Sequence, residues 1–195
     1  MKVGLFFGSF NPIHIGHLLA ATYIREAAEL DEVWFVVSPQ NPLKKSEDLS
    51  DEMHRLEMTK LAVQNTPYLN VSDVEFNLSK PSYTHQTLKE LTRLHPDYGF
   101  HIIIGEDLVD GFNLWKESEW IQQNFKVIVY NRVHNLQSKI HSKIGNSFFT
   151  VYRLPLFEVS STEIRNRIKN HQSIRFFVTH HVEQFIAFHK LYDTK

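Results

Sequence analysis

Apolar residues recur in two rhythms along this 195-residue chain, and the alternation between them predicts the architecture. Val3 to Phe7 is a short continuous apolar run ending at Gly8, which reads as a buried strand. Gly8-Ser9-Phe10-Asn11-Pro12 carries turn chemistry. From Gly16 the pattern becomes helical, with Leu18, Ala21, Ile24 and Ala28 at helical spacing. Val33 to Val37 predicts a second buried strand, and a polar loop spans Ser38 to Leu49. Ser50 is placed to cap a helix ending near Asn65, with Asp51 and Glu52 in its first turn, where carboxylates favour the helix dipole.

Leu69 to Phe76 alternates like a strand, Asn77 to Tyr83 is a loop, and Thr84 to Leu94 is helical, stopped by Pro96. Phe100 to Ile104 predicts a third core strand, ending at Gly105. A helix carrying Trp115 and Trp120 precedes a fourth, Val127 to Tyr130. Asn131 to Asn146 is a polar loop, and Phe148 to Leu154 a last strand. Ser160 to Lys169 starts with a capping box of Ser160 and Glu163, and a final helix covers Thr179 to His189. Strands alternating with helices imply an α/β fold, a parallel sheet with helices on both faces, in one domain over residues 1–195. Ligands in such sheets bind at the carboxyl ends of strands. Here the loops after Phe7, Val37, Ile104 and Tyr130 occupy those ends.

Composition narrows the chemistry. Hydrophobic content of 42% and charged content of 22% are those of an ordinary globular protein. A net charge of −1 and a single short basic pair, Lys44-Lys45, give no footprint for nucleic acid. With no cysteine, disulfides, thiolate metal sites and Cys nucleophiles are excluded. No apolar run is long enough for a bilayer or a secretory signal, so the expected setting is cytoplasmic, with no membrane partner. A homo-oligomer is compatible with the sequence, which does not fix the oligomeric state.

Gly8-Ser9-Phe10-Asn11-Pro12-Ile13-His14-Ile15-Gly16-His17 joins the first strand to a helix. Gly8 would let backbone approach a phosphate. His14 and His17, three apart, would share a face at a helix N-terminus, where free N–H groups and the dipole favour an anion. Gly16 leaves room for a nucleotide base or ribose. Two imidazoles can donate to a phosphate and to the charge that builds on it during transfer. Taken alone the pair is equally two surface histidines at a helix start; a zinc pair is a third reading, against which stand the spacing and the lack of an evident further ligand. The second block, Ser160-Ser161-Thr162-Glu163-Ile164-Arg165, again opens a helix and adds hydroxyl donors and a planar cation suited to phosphate. Its bland alternative is a capping box with a surface arginine.

Together the two blocks resemble the signatures of the HIGH superfamily of nucleotidyltransferases; with Pro39-Gln40-Asn41-Pro42-Leu43-Lys44-Lys45, Pro81-Ser82-Tyr83-Thr84 and Gly105-Glu106-Asp107 followed by Trp115, nearly the full length resembles the nicotinate-nucleotide adenylyltransferases. The resemblance implies a Rossmann-like fold. It implies transfer of AMP from ATP to nicotinate mononucleotide, giving deamido-NAD and pyrophosphate. His14, His17 and Lys44 would be catalytic. ATP contacts would fall on Gly8, Ser9, Phe10, Gly16, Gly105, Asp107, Ser160, Ser161, Thr162 and Arg165. The acceptor would meet Lys44, Tyr83, Thr84, Trp115 and Arg132. Thr84 also suits a helix N-cap. No protein metal ligand is implied, and Mg²⁺ would arrive with ATP, keeping most of its water. The chain departs from the family at Phe7, Asn11, Leu43 and Val133-His134. Alternative readings are an adenylyltransferase for nicotinamide mononucleotide or phosphopantetheine, and, in another class, a non-catalytic nucleotide sensor.

Overall fold

The apolar runs become strands because both their faces are covered. The computed structural model describes residues 1–40, 49–131, 149–153 and 159–193. Among these, the strands are β1 (Lys2–Gly8), β2 (Glu32–Val37), β3 (Leu69–Ser72), β4 (Gly99–Gly105), β5 (Lys126–Asn131) and β6 (Phe149–Arg153). The helices are α1 (Ile15–Ala27), α2 (Glu52–Val63), α3 (Thr84–Leu94), α4 (Ser118–Asn124), α5 (Ser161–Lys169) and α6 (His180–His189). All strand pairs are parallel, in the order β3-β2-β1-β4-β5-β6.

The period of two divides each strand between two cores. Phe6, Val33, Phe35, Ile103 and Ile128 face one core, with Ala21 and Ile24 of α1, Met58 of α2, Ile164 of α5 and Val182 of α6. Leu5, Val36, Ile102, Ile104, Val127 and Val129 face the other, with Leu88 and Leu91 of α3 and Ile121 of α4. Each fully buried aliphatic or aromatic side chain contributes about 1.5–3 kcal/mol of transfer free energy.

The order reverses around β1, which lies between β2 and β4. Gly8 is level with Val37, and Phe6 with Ile103. The loops leaving β1, β2 and β4 therefore emerge along one edge, at the crevice where doubly wound sheets bind ligands.

Two caps, one strand end and the place of Trp115 differ from the sequence expectation. α2 is capped by Asp51, whose carboxylate accepts from Met53 N (2.8 Å) and His54 N (3.3 Å); Ser50 has partners elsewhere. β3 stops at Ser72 because Ser72 Oγ accepts from Val74 N and the chain coils into a 3-10 turn over Val74–Asn77. α3 covers Thr84–Leu94 as expected, but Thr84 is its first helical residue and Tyr83 the cap. Trp115 lies outside a helix, after a 3-10 turn at Phe112–Leu114; Glu117, at φ 57°, separates it from α4 and Trp120. The expected 131–146 loop falls largely outside the described residues.

Candidate active site

The loop after β1 is held from several sides. Phe10 sits at φ 44°, a left-handed conformation that costs a bulky residue energy unless packing imposes it. Its buried ring makes edge contacts with Phe6, Phe35 and His17. A Cβ on Gly8 would lie 2.7 Å from that ring. The glycine is therefore required by packing within the loop, a reason the sequence did not disclose. The loop carbonyls are taken up in turn. Ser9 O accepts from Arg55 Nη1 (2.7 Å), Asn11 O from Arg165 Nη1 (2.8 Å) and Pro12 O from Ser161 Oγ (2.9 Å). The Asn11 side-chain oxygen accepts from Tyr192 OH (2.8 Å) and Ser50 N (3.2 Å).

His14 is the buried N-cap of α1, and its ring stacks on that of His17 at 3.6 Å between centroids. A Cβ on Gly16 would come within 3.1 Å of the His14 ring, so glycine admits the imidazole to the helix start. His14 N–H donates to His17 Nδ1 (3.3 Å). A nitrogen that accepts carries no proton, so neutral His17 has its hydrogen on Nε2. The pair is suited to presenting N–H groups to a phosphate.

α5 opens beside the same loop. Ser160 Oγ accepts from Glu163 N (3.1 Å), as its capping pattern predicts. Arg165 also donates to Thr162 Oγ1 (3.2 Å). Ser161 and Arg165 thus meet the loop at Asn11 and Pro12. Two helix N-termini from distant parts of the sequence thus converge on residues 9–14.

On the β4 side, Gly105 leads into a 3-10 turn, Glu106–Leu108, that carries Asp107. The Trp115 segment and the Tyr83 segment are joined. Lys116 Nζ lies over the Tyr83 ring at 4.7 Å, and Glu117 meets Lys89 (2.8 Å) and His85 Nε2 (3.4 Å). Burial lowers the His85 pKa, opposed by the Glu117 charge. Glu117 itself is held below the usual carboxylate range, first by its bond from Lys89. Lys44 and Arg132 lie outside the described residues.

Three residues of this region escaped the sequence reading. Arg55 is 1% exposed and gives its guanidinium to backbone carbonyls. Burial lowers its pKa, opposed by Tyr192, Glu52 and Asp51. Its signal was position: it shares the inward face of α2 with Met58 and Thr59. Glu75, also 1% exposed, accepts from Thr87 Oγ1 (2.8 Å), and burial raises its pKa. Tyr192 gave no local signal.

The cytidylyltransferase-like family model matches residues 5–167. The probable nicotinate-nucleotide adenylyltransferase of Cytophaga hutchinsonii is 44% identical over 193 residues, 99% of both chains. That of Flavobacterium psychrophilum is 42% identical, over 98% of this chain and 99% of its own. Among solved structures, the Plasmodium falciparum nicotinic acid mononucleotide adenylyltransferase complexed with NaAD superposes with a TM-score of 0.81 at 23% identity. That match covers 100% of this chain and 98% of the other, and it establishes likeness of fold.

Proposed function

Since the chain belongs to the cytidylyltransferase-like family, and within it to the nicotinate-nucleotide adenylyltransferases, we propose that it joins ATP and nicotinate mononucleotide into deamido-NAD and pyrophosphate. The observation that carries this reading is the convergence of the α1 and α5 N-termini, with His14, His17, Ser161 and Arg165, on one loop. The reading treats residues 1–195 as one catalytic domain.

The nucleophile is a phosphate oxygen of the acceptor. A phosphate monoester has a second pKa near ~6, so it is mostly dianionic at neutral pH and needs no general base. Its oxygen bonds to the α-phosphorus of ATP while the bond from that phosphorus to the bridging oxygen breaks, and pyrophosphate leaves with the electron pair. The protein's task is alignment and charge stabilisation. His14 and His17 donate to the α-phosphate and the departing pyrophosphate. Gly8, Ser9, Phe10 and Gly16 form the wall of the ATP site. Ser160, Ser161, Thr162 and Arg165 hold the outer phosphates, and Gly105 and Asp107 the nucleoside. Tyr83, Thr84 and Trp115 enclose the pyridine ring, a flat group that stacks on indole. Lys44, as a catalytic and acceptor-binding residue, and Arg132, as an acceptor-binding one, are assigned by resemblance alone.

Mg²⁺ enters as part of the substrate, MgATP. The donors at the loop are imidazole, hydroxyl and guanidinium, which suit phosphate oxygens better than a hard cation. A cytoplasmic setting follows from substrates that are multiply charged and do not cross bilayers unaided. No helix among the described residues is long and apolar enough to span a membrane.

The test is pyrophosphate release from MgATP with nicotinate mononucleotide, nicotinamide mononucleotide and phosphopantetheine in parallel. About a hundredfold preference in kcat/KM for the first, roughly 2.7 kcal/mol of transition-state discrimination, supports the proposal. Equal rates with the amide, or ATP binding without turnover, overturn it.

A further inference from the structure

We infer that Arg55 is a positioning residue for this reaction, which fixes the loop on the ATP side and the segment leading to the acceptor loop in a single register. The inference rests on the proposed adenylyl transfer. Arg55 projects from α2 into the interior, where its Nε donates to Ser50 O (3.0 Å), its Nη1 to Ser9 O and Ser38 O (2.7 Å each) and its Nη2 to Pro39 O (2.7 Å). These carbonyls belong to three segments: the loop after β1, the end of β2 and the entry to α2. Among the described residues no carboxylate lies within ion-pair distance of the guanidinium. The four accepting carbonyls offset the buried charge with oriented dipoles, so the guanidinium is held by backbone alone and in turn fixes the backbone that holds it.

The peptide geometry carries the effect outward. In a trans peptide, C=O and N–H point in opposite directions. With Ser9 O and Pro39 O turned toward Arg55, the N–H groups of Phe10 and Gln40 are turned away from it. Gln40 O in turn accepts from Ser82 N (3.0 Å), next to Tyr83. Contacts therefore run from Ser9 through Arg55 to Pro39, then through Gln40 to Ser82, beside Tyr83. A lysine, with one point-like ammonium, cannot span this set of carbonyls.

The experiment uses the full chain. Wild type is assayed first with MgATP and nicotinate mononucleotide, so a failure of the functional reading appears there, before any variant is made. Arg55→Lys and Arg55→Gln are then compared for kcat, both KM values, affinity for a non-hydrolysable ATP analogue and thermal midpoint. If Arg55→Lys does not fold, Arg55→Gln, which keeps amide donors, decides. The expected result is a fall in kcat of about 10- to 100-fold per folded molecule, the effect of misplacing reacting groups by about an ångström, with analogue affinity reduced far less. Guanidinium ion at non-denaturing concentration should restore part of the rate to Arg55→Ala. Wild-type kcat and KM in a folded variant, whatever its thermal midpoint, would overturn the inference. So would a loss of rate that tracks only the loss of folded protein.

Discussion

The hydroxyl of Tyr192 donates to the side-chain oxygen of Asn11 across 2.8 Å and 181 positions of sequence. Ser50 Oγ lies 3.1 Å from the same hydroxyl. Burial pushes the Tyr192 pKa up to about 12, so the phenol remains a donor at any working pH. Tyr192→Phe should lower stability by about 1 kcal/mol, the usual net value of such a bond, and raise KM for ATP. Thermal unfolding with steady-state kinetics checks both; an unchanged KM would show that the clasp does not reach the site.

Gly8→Ala should fail for a reason of space. The new methyl would meet the Phe10 ring at 2.7 Å, and that ring is packed against Phe6 and Phe35. Overpacking of this kind costs about 1–3 kcal/mol. We expect a lower thermal midpoint together with reduced kcat. Pairing the change with Phe10→Leu should recover part of the midpoint.

His17→Ala should leave the fold in place and lower kcat by about 10²–10³-fold, the range for removing one donor to a developing oxyanion. Near-normal turnover by the folded variant would remove His17 from the mechanism.

Glu75 has its pKa raised by burial, with Thr87, Ser38 and Ser82 acting in the opposite direction. In the window above the ordinary glutamate pKa, the unfolded chain has released this proton while the folded chain keeps it. The stabilising contribution is therefore full below that ordinary value and is lost as pH rises through the folded one. Glu75→Gln, which cannot ionise, should gain stability relative to wild type as pH rises through this window. His101 acts with the opposite slope: burial lowers its pKa, so it takes stability away as pH falls below the ordinary histidine value. Denaturant midpoints from pH 4 to pH 8 (about the range the two groups span) for wild type and Glu75→Gln would display the difference. A constant offset at every pH would contradict it.

The sheet was readable because strands covered on both faces are continuous apolar runs, and β1, β2, β4 and β5 differ from expectation only by end residues. The His14 to His17 motif was readable because its two residues are sequence neighbours on one helix start. The misplaced features each depended on a distant partner. Ser50 looked like a cap but is drawn to Asn11 and Tyr192, and Asp51 does the capping. The alternation through Phe76 ignored the burial of Glu75, which pattern alone assigns to solvent. Arg55 went unread because, although its place on the inward face of α2 is visible in the spacing, the carbonyls that cage it come from three separate segments. Ser161 and Arg165 were expected to face phosphates; what the geometry shows is that they brace the loop after β1.

The strand order has a consequence for synthesis. A ribosome delivers β1 first, yet one of its two neighbours, β4, begins at Gly99, and the residue that clasps the loop after β1 is Tyr192. The centre of the sheet must wait, with one edge unpaired, while the residues between β1 and β4 are made, at about 5–20 residues per second. The strand that leads into the candidate site is thus also one that presents an open edge through much of synthesis.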